Sequence, residues 1–178
     1  MISVLFDFAD PHAPSAWHPI NDGVMGGVSR SQLRHDAAGH AVFAGDVRLE
    51  NNGGFASVRC QPSELGGKGV VVAYVLRVRG DGKRYKLNLR TDDSFDGINY
   101  QARLDPPAGV WTTCRIALAD FTPSWRGRPV PAAPPLDAAH VRQIGLMIAD
   151  RQAGPFALAI ESIAVELSPW HLHHPDRR

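Results

Sequence analysis

Glycine and proline recur at short intervals along this chain, and their spacing restricts its fold more than any other feature. The 178 residues contain 17 glycines and 14 prolines, which divide the chain into short segments. Within these segments apolar and polar side chains alternate, as in 85–91, which reads YKLNLRT. A period of two is typical of a strand with one face buried and one face in water. We therefore predict an all-β fold, an antiparallel two-sheet β-sandwich or jelly roll, because each sheet must cover its apolar face with another layer.

The strand pattern occurs in about ten segments, at 4–8, 29–34, 40–47, 55–60, 70–79, 85–91, 98–103, 111–116, 143–148 and 156–165. In the last segment the apolar face shifts at Glu161-Ser162, which predicts a bulge or bend. One helical turn is predicted at 137–141, with Asp137 as its N-cap. The five prolines of 122–135 predict a rigid excursion without strands, on which Trp125 is exposed.

Length and charge restrict the class of protein further. We predict one domain over residues 1–167 and a mobile tail over 168–178, because the tail has no apolar period. The chain carries 19 Lys and Arg against 18 Asp and Glu, so it lacks the positive excess that nucleic acid binding requires. No apolar run approaches the roughly 20 residues that cross a membrane, so no direct membrane insertion is expected. The first residues show neither a secretory nor a transit-peptide pattern, which predicts a cytoplasmic location.

Few side chains have the spacing that metal binding or catalysis needs. Cys60 and Cys114 lack metal-ligand spacing and are expected to be buried reduced thiols, although a disulfide between them is left open. The turn at 92–97 matches the first half of a calcium loop, but the twelfth position holds Arg103 where a glutamate is required. We therefore predict no catalytic residue, no metal and no cofactor.

Two other sites stay open, because strands bring distant residues together. One is a cation site, formed by Asp7, Asp10, Asp22 and Glu161. The other is a hydrolase or lyase site, which would require two carboxylates or a histidine close together in a cleft.

Three polar, glycine-rich stretches separate predicted strands, at 17–29, 49–59 and 78–85. By turn chemistry alone, the Asn-Asn-Gly-Gly of 51–54 and the Gly-Asp-Gly of 80–82 suit tight β-hairpins. Such loops also expose backbone N–H groups and side-chain amides, which could hold a ligand. We expect the three stretches to converge on one surface, which would make them a binding site rather than separate turns.

Taken together and in chain order, these loops resemble a known family. The matching segments are Trp17 with NDGVMGGVS (21–29), Phe43-Ala44-Gly45, ENNGGFASVR (50–59), RGDGKRY (79–85), Tyr100-Gln101-Ala102, Trp111, Asp120-Phe121 with Arg126-Gly127-Arg128, and IGLMIADRQAGPF (144–156). They resemble the complex I intermediate-associated protein domain, known from a mitochondrial assembly factor of NADH:ubiquinone oxidoreductase. The resemblance implies a galactose-binding-like β-sandwich and a non-enzymatic assembly chaperone, whose protein partners are respiratory complex I assembly intermediates.

The predicted function is therefore a non-enzymatic binding module that grips a protein partner through loops at the rim of the sandwich. The candidate binding residues are Asn21, Asp22, Met25, Asn51, Asn52, Arg59, Arg79, Asp81, Tyr100, Gln101, Arg126 and Asp150. The alternative is a carbohydrate-binding module of the galactose-binding-like type, because aromatic rings beside side-chain amides suit sugar rings and their hydroxyl groups.

Overall fold

The computed structural model describes residues 1–169 and contains thirteen β-strands joined by loops and short 3₁₀ turns. The strands are β1 Ile2–Asp7, β2 Trp17–Pro19, β3 Arg30–Asp36, β4 His40–Val47, β5 Ala56–Cys60, β6 Val71–Arg79, β7 Tyr85–Arg90, β8 Asn99–Leu104, β9 Trp111–Ala117, β10 Thr122–Trp125, β11 Arg128–Pro129, β12 Gln143–Ile148 and β13 Gly154–Leu167. The 3₁₀ turns are Ala13–Ala16, Asp22–Met25, Glu50–Asn52, Leu118–Asp120 and Ala138–His140.

The strands form two antiparallel sheets. Sheet I has the order β3-β4-β13-β6-β9, and β1 lies beside the second half of β13, beyond the end of β4. Sheet II has the order β11-β10-β8-β7-β12-β5-β2. The prediction of an all-β, two-sheet antiparallel sandwich is confirmed, and the apolar positions of the period-two pattern fill the space between the sheets.

The core contains aromatic rings from both layers. Phe43 and Phe156 of sheet I meet edge to face, with ring centroids 4.9 Å apart, and Tyr85 of sheet II packs against both rings. Leu87 and Leu146 of sheet II are completely buried. Interdigitated packing of this kind fixes the spacing of the two sheets and therefore the positions of the loops at their ends.

Two predicted hairpins are wrong. The loop at 80–82 joins β6 of sheet I to β7 of sheet II, and the loop at 51–54 joins β4 of sheet I to β5 of sheet II. Both loops therefore cross between the layers. Turn residues determine how the chain reverses locally, whereas the pairing partner of a strand depends on which sheet buries its apolar side.

The excursion predicted without strands at 122–135 is also partly wrong, because β10 and β11 form a small hairpin at the edge of sheet II. Prolines are tolerated there, since an edge strand can lack a backbone donor. The predicted bulge is confirmed by a register shift between Ile160 and Ser162. The turn at Ala138–His140 is confirmed as well, and the Asp137 side chain caps it by accepting a hydrogen bond from the Ala139 N–H.

Both cysteines are free thiols, Cys60 being buried and Cys114 only half-buried. In the part of the chain that the structure describes, no helix is long and apolar enough to cross a membrane. The last strand ends at Leu167. Most of the predicted tail, residues 170–178, lies outside the described residues.

Candidate functional site

Four connections lie at the same end of the sandwich, at 20–29, 48–55, 80–84 and 149–153. We call this surface the loop end. Strands β4, β6 and β12 end there, and β5, β7 and β13 begin there, as the pairs Val47 with Gly154 and Ala56 with Ile148 show. The family-like stretches of the sequence supply all four connections.

Asp22 joins the first two of these loops from inside the protein. Its side chain is 1% exposed. Oδ1 accepts a hydrogen bond from the Ser29 N–H (2.9 Å), and Oδ2 accepts one from the Ser29 hydroxyl (2.6 Å) and one from the Gly54 N–H (2.9 Å). Burial by itself would raise the pKa of Asp22, but the hydrogen bonds from Ser29 and Gly54 outweigh burial and lower it.

Glycines 27 and 53 leave the space that this carboxylate occupies. A Cβ atom at Gly27 would lie 2.5 Å from Oδ1 of Asp22, and one at Gly53 would lie 2.5 Å from Oδ2. Both distances are too short for any side chain. Gly27 of NDGVMGG and Gly53 of NNGG are therefore both required by the buried aspartate, which links the two stretches.

Asn21 connects the two sheets beside Asp22. Its Oδ1 accepts hydrogen bonds from the Ser31 hydroxyl of β3 (2.6 Å) and from the Ser57 N–H of β5 (3.0 Å). Asn21 and Asp22 were selected as binding residues, and the structure places their side-chain oxygens on internal donors. A binding role for either residue stays a prediction.

Strained backbone is concentrated at the loop end. Five non-glycine residues in the described part of the chain have a positive φ, and four of them are Asn51 (57°), Asn52 (60°), Asp150 (60°) and Arg151 (53°). Their side chains are exposed. The two turns are neighbours, because a Cβ at Gly54 would lie 3.3 Å from Cγ of Arg151. Strain of this kind persists only where the surroundings impose it, and it is frequent at functional sites.

The loop at 80–84 is held to the same surface by Asp81. Oδ1 of Asp81 accepts a hydrogen bond from the Tyr85 hydroxyl (2.9 Å), and Oδ2 accepts one from the Ala157 N–H (2.8 Å). Burial and the neighbouring Asp81 carboxylate raise the pKa of Tyr85. Arg84 and Gln152 exchange two hydrogen bonds, of 2.9 and 2.8 Å, between this loop and 149–153. The first two stretches thus touch directly, and the third joins them through the β12–β13 connection.

Arg79 lies at the end of β6. Its guanidinium carbon is 5.0 Å from the ring centroid of Trp111, which is a cation–π arrangement. The Met25 side chain, another predicted binding group, lies outside the described part of the structure.

The remaining four predicted residues lie away from the loop end, on or beside sheet II. Arg59 of β5 donates to the Phe95 carbonyl (2.9 Å) and packs over the Phe95 ring. Arg126 pairs with Asp96 (2.7 Å). Burial, and then the nearby Arg90, lower the pKa of Arg59 to about 10.

Tyr100 and Gln101, neighbours on β8, face opposite ways. Tyr100 is 3% exposed and donates to the Pro134 carbonyl (2.7 Å), whereas Gln101 lies on the outer face of sheet II. The twelve predicted residues therefore do not form one site, because alternation along strands and the two-layer architecture separate them.

The half-match to a calcium loop at 92–97 has a different explanation in the structure. Asp93 pairs with Arg142 (2.8 Å), and Asp96 pairs with Arg126. Within residues 1–169 no group of three or more His, Cys, Asp or Glu side chains is arranged to hold a metal ion. Asp22, one of the four residues of the alternative cation site, already accepts hydrogen bonds from Ser29 and Gly54 through its carboxylate.

Sequence reasoning missed several residues on the outer face of sheet II. Asn88, Asn99 and Met147 occupy its centre, and Phe95 exposes 60% of its surface beside it. The predicted exposure of Trp125 nearby is confirmed, at 42%. The alternation in 85–91 assigned Asn88 to the solvent side, but alternation cannot show that the side chain is only 8% exposed.

The fold is a β-sandwich similar to that of carbohydrate-binding modules. It is similar to a family 11 carbohydrate-binding module from Clostridium thermocellum, solved with a β-1,3-1,4-mixed-linked tetrasaccharide, with a TM-score of 0.69 and 14% identity over 94% of this chain and 96% of that one. A family 29 module gives a TM-score of 0.52, with 10% identity over 100% of this chain and 99% of the other. At these identities the similarity shows the fold alone.

The chain belongs to the complex I intermediate-associated protein 30 family, whose model matches residues 6–160. The mitochondrial protein of that name from Drosophila melanogaster is 27% identical over 94% of this chain and 64% of its own length. The mouse protein is 33% identical over 54% of this chain and 30% of its own length, and the Neurospora crassa protein is 29% identical over 70% and 50%. The resemblance read from the loops is confirmed.

The predicted cytoplasmic location is wrong. The relatives from Drosophila, mouse and Neurospora are all named as mitochondrial, which points to mitochondria instead. The prediction relied on a leader pattern that was not found. This chain spans 64% or less of the length of those relatives, so the pattern of its first residues carries no information on targeting.

Proposed function

We propose that the chain is a non-enzymatic module of complex I assembly, which grips a protein partner through its loop end. The observation that supports this most directly is the adjacency of two turns with consecutive left-handed residues, at Asn51-Asn52 and Asp150-Arg151. Their exposed side chains stand on loops that the buried Asp22 and the Asp81 contacts tie to both sheets. Family membership supports components of complex I as the partner.

Rigid support matters for binding, because loops that are already ordered lose little conformational entropy when a partner docks. The side chains of Asn51 and Asn52 each offer one acceptor and two donors to a partner backbone. Asp150 is already engaged with Lys86 at 3.6 Å, so it would act as part of an ion pair.

The experiment uses a variant that removes the two amides and keeps the backbone. In Asn51→Gly/Asn52→Gly, glycine adopts the positive φ at no steric cost, so the loop keeps its shape. We expect recovery of complex I subunits after crosslinking in mitochondrial extract to fall about tenfold. The matched control is Gln32→Gly, an exposed amide on β3. Equal recovery with wild type and the double variant would refute partner binding through these amides.

Carbohydrate binding is the second candidate function, and one observation favours it. Phe95 and Trp125 present exposed rings beside Arg59 and Arg126, at the end of the outer face of sheet II. Sugar rings pack their C–H faces on such aromatic surfaces. Calorimetric titration with the β-1,3-1,4-mixed-linked tetrasaccharide, with wild type and Trp125→Ala compared, tests it. We expect heat of binding from wild type and a weaker signal from the variant.

A further inference from the structure

Five residues form a patch at the centre of the outer face of sheet II, which we call the amide face. They are Asn88, Asn99, Gln101, Gln143 and Met147. Asn88 of β7 lies directly opposite Gln101 of β8, and Asn99 is two residues before Gln101 on the same side of that strand. Met147 lies on β12, the other neighbour of β7. Sheet II thus places four side-chain amides and one thioether on the same face of three neighbouring strands.

The hydrogen bonding of this patch is incomplete. Asn88 and Asn99 are 8% and 6% exposed, and the Oδ1 atom of each has no hydrogen-bond partner among the described residues. The amide nitrogens of Asn88 and Gln101 both point at the Met147 sulfur, at 3.9 and 3.7 Å. A thioether is a weak acceptor, so the donors are poorly matched as well.

Gln143 shows that an amide on the same face can be satisfied within the chain. Its Nε2 donates to the carbonyl oxygens of Asp92 (2.8 Å) and Ser94 (3.0 Å). Buried polar groups in folded proteins are nearly always paired, and an unpaired amide oxygen destabilises the native state. Unlike the Gln143 amide, the oxygens of Asn88 and Asn99 are therefore free to accept from a partner outside the chain.

The surroundings restrict what that partner is. A cleft of about 530 Å³ shares Gln101 with the amide face. Three positive and three negative side chains line it: Arg103 pairs with Asp105 (2.8 Å), Lys86 pairs with Asp150 (3.6 Å), and Arg84 and Asp120 add one charge of each sign. The site therefore favours a ligand without net charge. The partner must also offer donors and acceptors close together, since amide oxygens and amide nitrogens are both unsatisfied. Neighbouring hydroxyl groups on a neutral sugar do this.

We propose that the amide face binds a neutral oligosaccharide, which displaces the Gln101 and Met147 side chains that cover it. Its hydroxyl groups then donate to Oδ1 of Asn88 and Asn99, both covered in the unbound chain, and accept from Nε2 of Gln101. This proposal rests on the second candidate function, carbohydrate binding, and assigns a site to it. It does not depend on partner binding by the loop end. A peptide is less suited to the position, because extended peptides add to the edges of sheets, and the amide face lies on interior strands.

The test combines binding with stability. Asn88→Leu removes an unpaired oxygen and fills the same space with an apolar group, so we expect it to raise Tm by about 2–4 °C. The same substitution removes an acceptor for the sugar and should weaken binding at least about tenfold. Binding is measured by calorimetric titration with cello-, laminari-, manno- and malto-oligosaccharides. Gln32→Leu, on the exposed β3, is the matched control and should leave binding unchanged.

A second readout does not depend on substitution. In wild type, the side-chain NH₂ signals of Asn88 and Gln101 should shift in NMR spectra at saturating sugar, while that of Gln32 stays in place. A lower Tm for Asn88→Leu would show that an ordered water already satisfies the amide and would overturn the proposal.

Binding of an uncharged serine-rich peptide, with no sugar bound, would overturn it too. If sugar binds but Asn88→Leu and Gln101→Ala leave the affinity unchanged, the chain binds carbohydrate at a site other than the amide face. If no sugar binds to wild type, the amide-face proposal and carbohydrate binding as a candidate function are both refuted.

Discussion

Asp22 combines two properties that rarely occur together, because it is almost completely buried and its pKa is nevertheless lowered. Three donors explain this, the Ser29 N–H, the Ser29 hydroxyl and the Gly54 N–H. An ionised carboxylate that accepts several hydrogen bonds is stabilised more by them than it is destabilised by burial. A single side chain thereby fixes the relative positions of two loops of the candidate site.

Replacement of Asp22 by asparagine should be strongly destabilising. The variant Asp22→Asn keeps the shape but directs an NH₂ group at N–H donors, so we expect a loss of about 2–3 kcal/mol in the free energy of unfolding. Urea denaturation measures it. Asp46→Asn, which affects an exposed pair 3.8 Å from Arg48, is the matched control and should change stability by less than about 0.5 kcal/mol. Equal effects of the two variants would contradict the account.

The same carboxylate makes stability depend on pH in a defined direction. Because its folded pKa lies below the ordinary value of 3.8, the stabilisation from Asp22 is complete above that pH and is lost as the pH falls through the folded value. Asparagine does not titrate. The difference in Tm between wild type and Asp22→Asn should therefore be constant above about pH 5 and shrink under acid conditions. A difference that persists unchanged to pH 2 would contradict this.

The glycines around Asp22 allow a test of how closely the backbone of the two loops packs against its carboxylate. Gly53→Ala places a Cβ 2.5 Å from Oδ2 of Asp22, so we expect a loss of about 1–3 kcal/mol. At Gly23 an added Cβ meets nothing within 4 Å, so Gly23→Ala is the control and should be nearly neutral. Thermal unfolding measures both variants.

At the scale of elements, the connections between sheets decide where the candidate site lies. Ala157 precedes Ala159, the first residue of β13 that pairs with β6. Its N–H is therefore satisfied by the Asp81 carboxylate instead of by a strand. The Gly-Asp-Gly loop was predicted as a hairpin, and in the structure it acts as a clamp between the layers.

Loss of this clamp should appear as local opening. In Asp81→Ala the Ala157 N–H loses its acceptor, and we expect its hydrogen exchange to accelerate at least about tenfold while distant core amides keep their rates. The matched control is Asp105→Ala, which removes only the exposed pair with Arg103. Unchanged exchange at Ala157 would show that Asp81 does not hold the loop.

At the scale of the whole molecule, the predicted binding residues fall into two regions with different chemistry. The loop end carries Asn51, Asn52 and Asp150 on strained turns. The outer face of sheet II carries Gln101 and Arg59 among buried amides and exposed rings. Asp150 and Gln101 line the same cleft, but Asn51, Asn52 and Asn88 do not line it, so variants of these three residues test partner binding and sugar binding separately.

The sequence by itself determined ten of the thirteen described strands, the all-β class and the glycine-rich stretches that match the family. These are local properties, since the alternation in 85–91 or the NNGG of 51–54 is read from neighbouring residues. Only the tertiary structure decided that β4 and β5 belong to different sheets, that Asp22 points inward and that Asn88 is buried. These depend on contacts between residues far apart in the chain, where each strand takes the position that buries its apolar side, and no short pattern encodes that choice.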